Sequence, residues 1–442
     1  MIFIVLTIFA IGLYIGGYKI PALMIFFFFM TSGFNLVPED IMENKFFSKG
    51  MDYAILIIVA MVAIDSIYVK NYLKPDKLIY LILIFYAFLA LCVIYNKFII
   101  GVGWKDIIRT ARYNVLWIAY LVFRNLSKEQ LLYLLKCLFL VTVVCAALFV
   151  LQIILNENIL NETVKYHIWF LGMKIPRFYN QPDMLQIFTF MAIYFNPYKG
   201  IKRIITTAIL IAALLGAFHR SLFIAFVLAI SIGYAIQLPR PKRIAILTSA
   251  AIIGSVFIVF FGYKFANSRT IRDIAVVTSG NVVDIDARDI DIDELQKSTF
   301  AFRIAHLIER NQYLIEHPRA MLLGAGLMTE DSKLTDLTFD FKVGLIEEAL
   351  GKTAQLDTAD ISYSIIILRY GYLGALLILS LYLYLMIYFY KNRKDPIGLF
   401  SFVYFIVVVV STFFSYILTL PISFLLPMIT YNIIQKSKSE DE

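Results

Sequence analysis

Long apolar runs separated by short polar ones set the pattern of this chain. Runs of about 17–25 apolar residues have the length a helix needs to cross a bilayer. About thirteen such stretches are read, with 11 to 14 as the range: 1–18, 20–36, 51–69, 78–96, 107–123, 130–154, 184–198, 203–218, 221–238, 244–263, 359–389, 397–417 and 419–435. The stretch after Asp106 carries Arg109 and Arg112, and Pro421 divides the last two. The pattern predicts an all-α, polytopic transmembrane helix bundle. Residues 264–358 break it, being 95 residues without an apolar run. Loops this long are usually functional. This one is expected to form a large, mostly helical extracytoplasmic loop domain. The division is therefore 1–263 for helices 1–10, 264–358 for the loop domain, 359–435 for helices 11–13, and 436–442 for a cytoplasmic tail.

Composition supports this reading. The mean hydropathy is +0.78, and 38 of 442 residues are Phe while 16% are charged. A soluble domain needs a more charged skin. The opening "MIFIVLTIFAIGLYIGGYK" lacks a basic leader segment and a small-residue cleavage site, so it is read as a retained first span. Cys92, Cys137 and Cys145 all lie in apolar runs and act as small hydrophobes in this reading, with no disulfide or metal spacing.

Charge then orients the chain. Lys19, the group Lys70, Lys74 and Lys77, then Arg124 and Lys128, and similar clusters up to Lys436 and Lys438 alternate onto one face. Excess basic residues mark the cytoplasmic side. Residues 264–358 carry 16 acidic against 11 basic residues, a net of −5 where the rest of the chain is +13. The overall +8 thus reports sidedness and not a nucleic-acid partner.

Within the loop, residues 301–316 read as an amphipathic helix stopped before Pro318 and followed by a turn at Gly324 and Gly326. At 100° per residue, Arg303, His306 and Arg310 fall within about 60° of one another, apart from Ile304, Ile308 and Ile315. The apolar face is expected to rest on the bundle and the basic face to stay open. The plain alternative is a solvated charged face. Other basic residues on the outer side are Arg109, Arg112, Arg177 in "GMKIPRFYNQPDM", and Arg220 in "AFHRSLF". Arginine near hydrocarbon costs roughly 2.5–3.5 kcal/mol and persists where it has an anionic partner. Its planar fork suits phosphate oxygens, while pairing with local carboxylates is the competing explanation.

The next apolar run opens with "DTADISYSIIILRYGYLG". Asp357 and Asp360 mark its mouth, and Arg369 lies nine residues further in, about 13 Å along a helix. Gly371 and Gly374 permit close helix approach.

Three segments in order now resemble the O-antigen polymerase and ligase family of bacterial surface-polysaccharide assembly, the Wzy-type membrane enzymes. They are "RFYNQPDMLQIF" before a span, "HPRAMLLGAGL" late in the large outer loop, and "DISYSIIILRYGYLG" at the following span. The resemblance implies a metal-independent glycosyl transfer on the outer face of the cytoplasmic membrane, with no cofactor. The donor glycan would ride on undecaprenyl pyrophosphate, a membrane lipid. Arg177, Arg220, Arg303 and Arg310 would hold the pyrophosphate, and a chain-length regulator would be a further partner. Ligases of the family carry a histidine ahead of the G-x-x-G, whereas Asp360 stands eleven residues before Gly371. That favours a polymerase. An acceptor hydroxyl must lose a proton as it attacks the anomeric carbon, and Asp360 is the first candidate to take it, His306 the second.

A ligase-like transferase moving glycan to another acceptor is the runner-up, and a polysaccharide transporter the third reading. Transporters show inverted repeats, and none is visible here. The acidic run "DIDARDIDIDEL" at 284–295 lacks the glycine of a calcium loop and reads as an exposed acidic segment.

Overall fold

The structure is a computed structural model. It describes every residue except 1, 43–48, 70–71, 73–75, 162–164, 171–172, 240–241, 243–247, 249–298, 345, 348–351, 357–360 and 442. The chain is 76% helical with almost no sheet. A helix stands at twelve of the thirteen apolar stretches. The other, 244–263, falls almost wholly outside the described residues, as do the acidic run at 284–295 and Asp360.

Among the described residues, four helices are long and apolar enough to cross a membrane. They are α3 (Gly50–Tyr68), α4 (Lys77–Tyr95, continued by a π turn at Asn96–Ile100), α7 (Lys128–Leu155) and α14 (Ser362–Lys391). The remaining apolar helices are shorter: α1 (Ile2–Ile15), α2 (Lys19–Met30), α8 (Leu185–Phe195), α10 (Arg220–Ala235) and α15 (Pro396–Ser411). At 1.5 Å per residue, a 14-residue helix such as α1 covers about 21 Å, short of the roughly 30 Å of hydrocarbon. Helix length therefore does not carry the expected thirteen spans.

Local sequence explains where the helices begin. Asp76 accepts from Ile79 N at 2.9 Å to start α4. Ser127 and Gln130 close a reciprocal capping box on α7. Asp395 accepts from Ile397 N at 2.8 Å, beside Pro396 at the first turn of α15. The long helices are apolar all round. Only 39% of the α4 window is buried within the protein, and its outward residues Leu83, Ile84, Leu91 and Ile94 are large and apolar. Such a surface suits hydrocarbon as its solvent and would be a liability in water.

The weak stretch after Asp106 is three pieces: α5 (Trp104–Val115), a 3₁₀ turn at Leu116–Ile118, and α6 (Ala119–Arg124). Trp117 in that turn stacks on Phe424 of α16 (Ile422–Asp441) with ring centroids 4.1 Å apart. α14 packs against α4 and α15, while α15 also packs against α8 and α10, and α9 (Gly200–Gly216) against α7 and α8.

Two features stand apart from the bundle. Between α7 and α8, an antiparallel hairpin pairs β1 (Lys165–Phe170) with β2 (Met173–Phe178), with Tyr166 opposite Arg177. Ahead of α14 lie α11 (Thr299–Glu316), α12 (Pro318–Leu323), α13 (Lys333–Thr338) and a short pair, β3 (Ile346–Glu347) with β4 (Lys352–Thr353). Both α11 and α12 pack on α14.

Candidate functional site

Two of the three segments singled out in the sequence meet in space. α14 is not one continuous helix: Gly371 breaks it with φ 67° and ψ −176°. The turn after α12 fits into this break. Gly324 sits at φ 86°, and a Cβ there would overlap the Arg369 carbonyl. A Cβ on Gly371 would lie 2.6 Å from the Leu322 carbonyl. Only glycine satisfies both the positive φ and the contact at each position. Where the helical ladder is interrupted, Leu368 O accepts from Ala325 N at 2.7 Å. Irregular backbone at membrane depth persists only where protein satisfies its polar groups, and this crossing does so.

Further bonds stitch the same turn to α4 and α5. Asn96 is fully buried at the start of the π turn, and its Oδ1 accepts from Leu327 N at 2.6 Å while its Nδ2 donates to Cys92 O. Cys92 Sγ donates to Leu323 O at 3.6 Å. Thr110 Oγ1 donates to Met328 O at 3.2 Å, and Thr329 Oγ1 to Asp106 Oδ1 at 3.0 Å. Asn114 donates to the Tyr370 hydroxyl, which in turn donates to Thr110 O. π turns recur at functional positions. Apolar periodicity carried no trace of these tethers, because each depends on one polar side chain whose partner lies far away in sequence.

α11 reverses the expected orientation. Its basic face is the buried one: His306 is 2% exposed and Arg310 0%, whereas Ile315 is 59% exposed. Arg303 is half-buried. Burial is tolerated because Arg310 is neutralised on the spot. Its guanidinium donates to Glu309 at 2.5 Å, to Val343 O, and to Gln355 O at 3.2 Å, and it stacks on the Phe341 ring at 4.2 Å. Desolvation lowers its pKa to about 10, so it stays charged. With these partners, Arg310 serves the loop's architecture. Among the described residues, His306 has no hydrogen-bond partner on either ring nitrogen. Burial, and then the Arg310 charge, push its pKa down to about 2. The ring is neutral at physiological pH and a weak proton acceptor.

Arg177 belongs to a second cluster. On β2, it reaches His219 Nδ1 at 3.2 Å and lies over the Tyr179 ring at 4.7 Å, and Tyr179 meets the His219 ring edge-on. His219 sits in the tight α9–α10 turn, just before Arg220, where Phe218 adopts φ 49°. Strained non-glycine backbone of this kind gathers at functional sites. The segment is anchored behind by Asn180, which exchanges hydrogen bonds with the fully buried Gln152. His219 and Gln152 were not singled out from sequence.

Arg109 and Arg112 have carboxylate partners. Arg112 meets Asp52 at 2.7 Å, and Arg109 lies 3.9 Å from the exposed Asp331. The structure thus gathers Arg303, His306 and Arg310 on α11, and brings Arg177 to the turn that carries Arg220. Neither models of known protein families nor curated protein sequences match this chain.

Proposed function

We propose that the chain is a bacterial surface-polysaccharide polymerase of the O-antigen or capsule type. It would work in the cytoplasmic membrane with its site facing outside, and the shorter apolar helices would complete about thirteen crossings. The donor is a growing glycan on undecaprenyl pyrophosphate, and the acceptor is a lipid-linked repeat unit. The observation that carries this reading is the fit of the Gly324 turn into the break at Gly371. It joins two of the three segments that resemble the polymerase family, one from the large loop and one from the apolar stretch after it.

In this reading the acceptor hydroxyl attacks the anomeric carbon as its proton passes to Asp360, with His306 the second, weaker acceptor. The bond between the anomeric carbon and the pyrophosphate oxygen breaks, and the lipid pyrophosphate leaves with growing negative charge. Arg177, Arg220 and Arg303 stabilise that charge. Arg310 supports them from within α11. No metal or nucleotide is required.

Purified chain supplied with lipid-linked repeat units tests this. Wild type is expected to build a ladder of longer products. Asp360→Asn keeps a capping group but removes the base, and is expected to lose most of the turnover while folding normally. Wild-type ladders from Asp360→Asn would move the base elsewhere, and no elongation by wild type would remove the polymerase reading. Product found only on a different acceptor would point to a ligase-like transferase.

A further inference from the structure

The arms at 341–343 and 353–356 are held by side chains that imitate a neighbouring strand. Glu309 accepts from Lys342 N at 2.7 Å and from Val343 N at 3.1 Å. Its neighbour Arg310 donates to the carbonyl of the same Val343. Gln355 repeats the pattern on Phe341, accepting from its N–H at 2.6 Å and donating to its carbonyl at 3.1 Å. Arg310 ties the two by donating to Gln355 O. Glu330 then accepts from two consecutive amides, Gln355 N at 2.6 Å and Leu356 N at 2.7 Å. A carboxylate holding paired backbone amides is a strong, charge-assisted anchor. Gly344 passes against the Ala354 carbonyl so closely that a Cβ would overlap it.

This clamp ends at Leu356, four residues before Asp360 in the chain. The other side of that stretch is pinned too. Ser362 Oγ donates to Ser415 O at 2.7 Å and accepts from Leu418 N at 3.2 Å. Leu356 and Ser362 are therefore each held by a different part of the fold, the α11 clamp for the first and the α15–α16 connection for the second.

We infer that Glu330 and the Glu309–Arg310 pair are positioning residues, which fix the arm at 354–356 from which the sequence runs on to Asp360 and α14. Their influence on turnover rests on the glycosyl-transfer reading, whereas the anchoring itself does not. Four carbonyls and five amides from two arms take their bonds from these side chains and Gln355, which would leave the arms without order if the charges were removed.

Hydrogen exchange on the full-length chain in lipid nanodiscs, paired with polymerisation kinetics, tests this. Glu330→Ala is expected to speed exchange at Gln355 and Leu356 by about 10- to 100-fold, with exchange in α4 and α7 unchanged. kcat is expected to fall while KM for the lipid-linked unit holds. Glu330→Gln keeps one acceptor oxygen for two amides and is expected to protect only one of them, with exchange and kcat between those of Glu330→Ala and wild type. Arg310→Lys is expected to speed exchange at Phe341 and Val343. Unchanged exchange in both Glu330→Ala and Arg310→Lys overturns the inference. So does a rise in KM at unchanged exchange, which would make these residues substrate ligands. If wild type elongates nothing, the polymerase reading falls and the exchange result alone decides the anchoring.

Discussion

The membrane bundle and the α11 region are held together by opposite means. In the bundle, Phe26, Phe27, Phe123 and Phe139 are fully buried among other apolar groups. Around α11, a charged side chain, Arg310, is fully buried alongside Ala305 and Leu314, and its partners are Glu309, two carbonyls and one ring. Apolar packing is redundant: many weak contacts share the load, and the loss of a methyl is absorbed. A buried ion network is not. Removing one partner leaves the other charge stranded away from water.

The comparison is broken most forcefully at Arg310. Arg310→Met leaves Glu309 buried without its cation and is expected to cost about 3–5 kcal/mol in a denaturant titration. The double change with Glu309→Gln is expected to recover much of it. If the single change proves nearly silent, the two regions are not held differently.

Next in size is Gly371→Ala. The added Cβ meets the Leu322 carbonyl at a positive φ, and an expected cost of about 1–3 kcal/mol should appear as a lowered melting temperature of the purified protein.

His306 sharpens the contrast through pH. Its folded pKa of about 2 lies below the usual histidine value of 6.5. Between these values the unfolded chain binds a proton that the folded chain does not, so its contribution to stability is full above about pH 6.5 and declines below it. The decline is about 1.4 kcal/mol per pH unit. His306→Phe is expected to remove this slope in unfolding measured from pH 5 to 7. An unaltered slope would show that His306 is not the titrating group.

The smallest effect belongs to the bundle itself. Ile57→Val, at a fully buried position on α3, is expected to cost only about 0.5–1.5 kcal/mol.

These regions also differ in how far their sequence could be read. Apolar run length placed helices such as α4 and α7 within a few residues of where they stand, because hydrocarbon solvation imposes one rule on every turn. It did not determine how many of them cross: α1 and α15 are apolar yet short. In α11, periodicity found the helix and its basic face but not which face lies inward. Apolar content argued that Ile304, Ile308 and Ile315 should be buried. The side that won was the one where Glu309, Val343 and Gln355, some of them more than thirty residues away in sequence, were ready to receive a guanidinium. Glycine motifs were legible as close approaches, but the partner of each was not. Nothing local in "LLGAGL" names Leu368 or Asn96. The resemblance to surface-polysaccharide polymerases drew together Arg177, Arg220, Arg303, Arg310 and Asp360, yet Arg177 pairs with His219, a residue that no periodicity marks.

The break at Gly371 also bears on how the chain is built. α14 emerges from the ribosome after α11 and α12, and its Leu368 carbonyl is satisfied by Ala325 from the turn that precedes it. With the turn undocked, this break would leave the Leu368 carbonyl without its Ala325 partner, and lipid cannot supply another. The helix is then a poor candidate for independent insertion and a good one for delayed, assisted release into the bilayer. Completion of the membrane half would wait on folding of the part outside it. A chain whose large loop misfolds would carry its fault into the membrane, where quality-control proteases that recognise unsatisfied helices can find it.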